Sequence, residues 1–133
     1  MKSIEAHGMV IVSNNKLLVT KDEKDDFYKI PGGQPKKGEA GKETATRRLT
    51  EETGLTGIIE KKLSTKKLDK NPTTKEPMSI TLFHYKGSLN KTPGDYENYE
   101  HNNFKVKWIP TNELSDYAIA PNITYLIRKG DIT

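Results

Sequence analysis

The sequence predicts a mixed α/β domain with helices packed on the faces of a sheet. Three observations predict it. Short apolar runs with strand character occur in two groups along the chain. A charged segment of helical periodicity, Lys42–Thr53, separates them, and a second helical pattern closes the chain. The order strands, helix, strands, helix is that of a sheet covered by helices rather than a bundle or an all-β sandwich.

Each element has a local reason. HGMVIVSNNKLLVTKD reads as two strands, Met9–Val12 and Leu17–Val19, joined by a tight turn at Asn14-Asn15. Pro31 keeps Ile30 extended, and Gly32 and Gly33 then allow backbone angles or close approaches that a side chain would block. In the helix Lys42–Thr53, Ala45, Leu49 and Glu52 fall near one face, and Gly54 is a C-terminal stop. Ile58–Lys66 and Ser79–Lys86 read as strands, with KNPTTKEP a turn-rich loop between them. LNKTPGDYENYEHNN reads as a second polar loop. KVKWIP alternates like a strand, TNEL begins a helical turn, and PNITYLIRKG is a helix with Pro121 in its first turn and Gly130 at its exit.

Composition limits the function. A chain of 133 residues suits one domain, residues 1–133, with one core. With 32% hydrophobic and 30% charged residues, no apolar run reaches membrane-spanning length, so no membrane partner is expected. MKSIEAHG lacks the apolar stretch of a signal peptide, so a cytoplasmic location is expected. The absence of cysteine excludes disulfides and thiolate metal sites. A net charge of +4 is spread over lysine pairs such as Lys36-Lys37, Lys61-Lys62 and Lys66-Lys67. It suits a solvated surface or small anions such as nucleotides, and no module for polymeric nucleic acid accompanies it.

The chemistry concentrates between Gly32 and Leu55. Adjacent helical residues diverge by about 100°, so Glu52 lies toward Leu49 and Glu51 toward the flank. A glycine turn can fold Glu39 back toward the pair. Three carboxylates with backbone carbonyls make a hard-oxygen cluster of the kind Mg²⁺ or Mn²⁺ prefers. Arg47 stands four residues before Glu51 and can hold it in one orientation. On spacing alone, an ordinary surface helix with ion pairs is the competing reading.

Gly33–Leu55 resembles the signature of the Nudix hydrolases: Gly33, then Glu39, Arg47, Leu49, Glu51, Glu52, Gly54 and Leu55 at the family's spacing. KIPGG before it, WIPTNEL after it and the closing helix match the family's usual order. The resemblance implies an α/β/α sandwich with a mixed β-sheet. It also implies a Mg²⁺- or Mn²⁺-dependent nucleotide pyrophosphohydrolase acting on a nucleoside diphosphate linked to another moiety, such as a nucleoside triphosphate or ADP-ribose. Its metal ligands would be Glu51, Glu52, Glu39 and the Gly33 carbonyl, with Arg47 as orienter. One position departs: the family has Glu directly after the arginine, where this chain has Arg48. In several members that Glu is a general base or helps hold metal; a guanidinium does neither. Arg48 is in range of Glu51 and Glu52 and competes with a metal there, a reason to expect reduced activity. The alternative is a weak or inactive nucleotide-binding or regulatory domain of the same fold.

By family analogy a further ligand or base lies in YENYEHNN, with Glu100 first and Glu97 second; His101 is a base by intrinsic pKa alone. His7 and His84 show no visible partner. Phe27, Tyr28, Tyr85, Tyr96 and Tyr99 are candidates to stack on a nucleobase. Asn122, after Ala120-Pro121, is similar in context to a base-contacting Asn of some triphosphate-cleaving members, although it also suits a helix start. Trp108 reads as core. A monomer or homodimer acting on a small nucleotide is expected.

Overall fold

The structure is a computed structural model and describes residues 2–91 and 97–133. Among the described residues eight strands form one mixed sheet: β1 Ser3–Ser13, β2 Lys16–Lys21, β3 Gly32–Gly33, β4 Gly57–Lys62, β5 Lys66–Lys70, β6 Pro77–Leu89, β7 Tyr99–His101 and β8 Phe104–Pro110. Two helices, α1 Gly41–Thr53 and α2 Pro121–Arg128, and a 3₁₀ turn Thr111–Asp116 complete it. The main strand order is β4-β6-β1-β2-β8-β7, with β3 on β1 and β5 on β6. Among these named strands β1 and β6 pair in parallel, from Ser3 opposite Ser79 to Ile11 opposite Gly87, and the other pairs are antiparallel.

Side-chain alternation explains the layers. Met9, Ile11, Leu18, Val106 and Trp108 face α1 and meet its Ala45 and Leu49. Val10, Leu17, Val19 and Ile109 face the other way and meet Leu114, Ile123 and Leu126. Strands covered on both faces read as continuous apolar runs, which is why Met9–Ile11 shows no polar alternation. The result is the α/β/α sandwich. Among the described residues no helix is long and apolar enough to cross a membrane.

The local signals hold at the β1–β2 turn, where Asn14 and Asn15 have φ of 53° and 59°, as a two-residue hairpin of this hand requires. They hold at the end of α1, where Gly54 has φ 75° and its N–H donates to Thr50 O at 2.8 Å. At the start of α1, Glu43 Oε1 accepts the Ala40 N–H at 3.1 Å, satisfying a donor the helix cannot.

Two expectations are corrected. The strand expected over Ile58–Lys66 is two strands. Lys62 stands opposite Tyr85 and Lys66 opposite Leu82, so Leu63–Thr65 bulge against Phe83 and His84. Hydrogen bonds hold the bulge: Leu63 N–H to His84 O, Ser64 N–H to Asp131 Oδ2, and Tyr125 O–H to Thr65 O. The polar loop expected over Leu89–Asn103 is shortened at both ends. Strand β6 runs on to Leu89, and β7 pairs with β8 through a second Asn-Asn turn, Asn102 and Asn103 at φ 48° and 68°. Tyr96 lies outside the described residues.

Candidate functional site

Helix α1 and the glycine strand β3 bring the acidic residues together, and two arginines hold them. Glu39 folds back as expected, and its carboxylate is held by Arg47, Thr44 and Lys36. Its Oε2 accepts from Arg47 Nε at 2.8 Å; its Oε1 accepts from Arg47 Nη2 at 2.9 Å, the Thr44 hydroxyl at 2.7 Å and the Lys36 N–H at 3.1 Å. The Arg47 hydrogen bond, then those of Thr44 and Lys36, lower its pKa to about 2. In this arrangement Glu39 anchors Arg47.

Arg47 completes the expected pair, donating from Nη1 to Glu51 Oε1 at 2.8 Å. Burial opposes ionisation of Glu51, but hydrogen bonds from Arg47 and Arg48 lower its pKa overall. Glu52 is 2% exposed. Its Oε1 accepts from the Thr20 hydroxyl at 2.5 Å and its Oε2 from the Gly32 N–H at 3.0 Å. Burial raises its pKa against those two bonds and the Arg48 charge.

Arg48 fills the space between these groups. Its Nη1 is 2.9 Å from Glu51 Oε1, its Nη2 is 3.0 Å from Glu52 Oε2, and its Nε donates to Gly32 O at 3.2 Å. The guanidinium carbon stands 5.7 Å from the Phe104 ring centroid. One internal cation thus spans two carboxylates and a carbonyl. Gly33 lies directly under it: a Cβ there would come 2.8 Å from Arg48 Nε. Among the described residues no group of three or more His, Asp or Glu is arranged to hold a metal ion.

The β7–β8 hairpin closes the end of α1. The Tyr99 hydroxyl donates to Thr53 O at 2.6 Å and Asn102 Nδ2 to Glu51 O at 2.9 Å, serving carbonyls that a helix end leaves unpaired. His101 packs against Gly54. Since Tyr99 and His101 reach α1, the pleat directs Glu100 to the opposite face, beside Lys105, where it is exposed. The structure does not bring Glu100 to Glu51 and Glu52. A loop register cannot show this; the two-residue period of a strand does.

A cleft of about 610 Å³ opens beside the glycine strand. Ala6, Gly8, Ile80 and Leu82 contribute to its floor, Phe27 and Asn122 line its sides, and Gly32 and Gly33 border it next to the carboxylates. Asp25 is buried and bonds Lys29 Nζ at 3.1 Å and the Thr73 hydroxyl at 3.4 Å, tying two loops together at the rim. Asn122 is among the residues that line the cleft. Tyr28 is not: its ring packs edge-on against Tyr117 at 6.4 Å, and its neighbour Phe27 takes the lining position. Tyr85 is core, its hydroxyl 2.9 Å from His7 Nδ1. Trp108 is core as expected. Both strand histidines have partners the sequence does not reveal. His7 stacks on Phe83 with centroids 4.7 Å apart, and His84 bonds Ser64 and Asn122.

The family model of the NUDIX domain matches residues 3–129. No match is found among curated proteins. Among solved structures, the chain is similar to a NUDIX hydrolase from Nitrosomonas europaea, with TM-score 0.74 and 17% identity over 96% of this chain and 87% of that one. A NUDIX-family hydrolase from Clostridium perfringens gives TM-score 0.70 and 19% identity, covering 95% and 94%. A UDP-X diphosphatase gives TM-score 0.70 and 17% identity, covering 98% of this chain and 65% of that one.

Proposed function

The chain belongs to the Nudix hydrolase family, and on that premise we propose that it hydrolyses the pyrophosphate linkage of a nucleoside diphosphate joined to another moiety, with Mg²⁺ or Mn²⁺. The observation that carries the reading is the adjacency of Glu52, the neighbour of Glu51, to a cleft of about 610 Å³ through Gly32, which lines the cleft and donates to Glu52 Oε2. That cleft is of small-ligand size. Its apolar floor and the Phe27 ring suit a nucleobase, and its glycine end brings the phosphates to the carboxylates.

The donor chemistry fits a hard cation in kind: Glu51 and Glu52 supply carboxylate oxygens, and the Gly33 carbonyl is the third candidate. When bound there, a divalent ion neutralises phosphate charge and lowers the pKa of a water. The protein's own residues do the rest. Glu39 fixes Arg47, and Arg47 fixes Glu51. Thr20 and the Gly32 N–H fix Glu52. Arg48 has to leave the carboxylates before they ligate anything, and a polyphosphate offers its guanidinium a bidentate partner. The linkage then breaks between the bridging oxygen and the attacked phosphorus, water supplying the new oxygen. The same reading gives a free nucleotide rather than a polymer as substrate, a cytoplasmic setting, and a monomer or homodimer.

The Arg48 bridge favours one second reading, a nucleotide-binding domain that does not turn over. A panel of nucleoside triphosphates, ADP-ribose, nucleotide sugars and dinucleotide polyphosphates, assayed with Mg²⁺ and Mn²⁺ for phosphate-containing products, separates the two. Binding without product under every condition would leave only the second.

A further inference from the structure

A half-buried hydrogen-bond chain centred on the buried His84 runs from the C-terminal end of the fold to the cleft. Asp131 Oδ2 accepts the Ser64 N–H at 3.0 Å. Ser64 O lies 2.7 Å from His84 Nδ1, and His84 Nε2 lies 3.0 Å from Asn122 Nδ2. His84 is 1% exposed, on β6 opposite Gly8, and sits at the cleft beside Asn122. The bulge at Leu63–Thr65 is what turns the Ser64 carbonyl toward the ring, because three residues there face two on β6.

Directions along the chain follow from valence. A carbonyl only accepts, so His84 Nδ1 carries the proton. A neutral imidazole then has a lone pair on Nε2, which only accepts. Asn122 must therefore turn its amide nitrogen to His84. The O/N orientation of an asparagine is ordinarily ambiguous; here it is dictated from Ser64 outward. Burial lowers the His84 pKa and keeps the ring neutral.

From this geometry we infer that His84 is a positioning residue that sets the base preference of the cleft, by holding Asn122 with its Oδ1 and remaining N–H free for the edge of a nucleobase. This rests on the nucleotide reading of the cleft, but not on turnover or metal binding. A ring edge with a neighbouring donor and acceptor gains two bonds from the fixed amide; a mismatched edge loses them. An unfixed amide rotates and accepts either edge.

The test separates base from phosphate. Affinities of adenosine, guanosine, cytidine and uridine monophosphates and of inorganic pyrophosphate are measured calorimetrically, without added metal, for wild type, His84→Leu and His84→Gln. Glutamine offers a donor to Ser64 and an acceptor to Asn122. Wild type should separate its best and worst base by about tenfold or more, the scale of one unpaired polar group. His84→Leu should shrink that spread to about threefold or less with pyrophosphate affinity unchanged, and His84→Gln should restore it. An undiminished spread in folded His84→Leu, or a flat wild-type profile, overturns the inference. Because a buried substitution can unfold the chain, nitrogen-15 NMR of wild-type His84 provides an independent check. The Nδ1–H tautomer is expected, and an Nε2–H tautomer overturns the assignment. Base discrimination in a protein that, with Mg²⁺ or Mn²⁺, cleaves none of the nucleoside triphosphates, ADP-ribose, nucleotide sugars and dinucleotide polyphosphates would sink the hydrolase reading and leave this one standing.

Discussion

Arg48→Gln removes the guanidinium that joins Glu51, Glu52 and the Gly32 carbonyl. The Glu51 side chain is 38% exposed and keeps Arg47, so losing that contact costs about 0.5 kcal/mol. The Glu52 side chain is 3% exposed and keeps Thr20 and Gly32, so losing a charged hydrogen bond there costs about 2 kcal/mol. Together these make about 2.5 kcal/mol, or roughly 10 °C in Tm for a domain of this size. A metal entering the wild-type site must work against the same contacts, and in the variant it does not. Mn²⁺ affinity should therefore rise about 70-fold as the metal-free protein becomes less stable. Calorimetric titration of Mn²⁺ into both proteins, with thermal melts with and without the ion, reads both effects. If folded Arg48→Gln binds Mn²⁺ no more tightly than wild type, the guanidinium does not occupy a cation position and the carboxylates are not its ligands.

Gly32→Ala should destabilise by about 2–3 kcal/mol in urea unfolding, because its Cβ would meet the His7 carbonyl oxygen at 2.6 Å and Gly8 Cα at 2.7 Å. Gly33→Ala should cost less, since it meets only the movable Arg48 side chain; equal costs would mean the backbone approach at Gly32 is not limiting. Glu39 contributes stability that is fully present above its ordinary pKa of 4.5 and lost as pH falls toward about 2. Acid unfolding of Glu39→Gln should therefore be shallower than wild type in that window, and matching curves would disprove the Arg47 anchor. Gly54→Ala should lower stability by about 1 kcal/mol in thermal melts, because φ there is 75° and His101 would lie 3.0 Å from the new Cβ; no change would remove the left-handed cap from the account.

Much of the carboxylate site was legible because its parts are near one another in sequence. Arg47 and Glu51 meet through one helical turn, and Gly54 ends the helix where the pattern predicts. The second Asn-Asn turn was equally legible, since Asn102-Asn103 repeats Asn14-Asn15. Reading it as a loop hid β7 and left Glu100 without the pleat that turns it from the site. The split of Ile58–Lys66 had no local sign, because the bulge is held by Asp131 and Tyr125 at the far end of the chain.

By itself the sequence determined most of the periodic elements, the buried face of α1 and the order of charges along it. Those depend on spacings of two to four residues, which the chain carries wherever it folds. Tertiary structure alone decided the parallel pairing of β1 with β6, which sets His84 opposite Gly8 and Phe83 against the His7 ring. It also decided that Glu52 is buried on Thr20 and that Arg48 has the Gly32 carbonyl as a third partner. It chose Phe27 over Tyr28 for the cleft as well, by seating the Tyr28 ring on Tyr117. Each of these needs two segments far apart in the chain to be docked first, and the direction of a side chain is settled only by what it then meets.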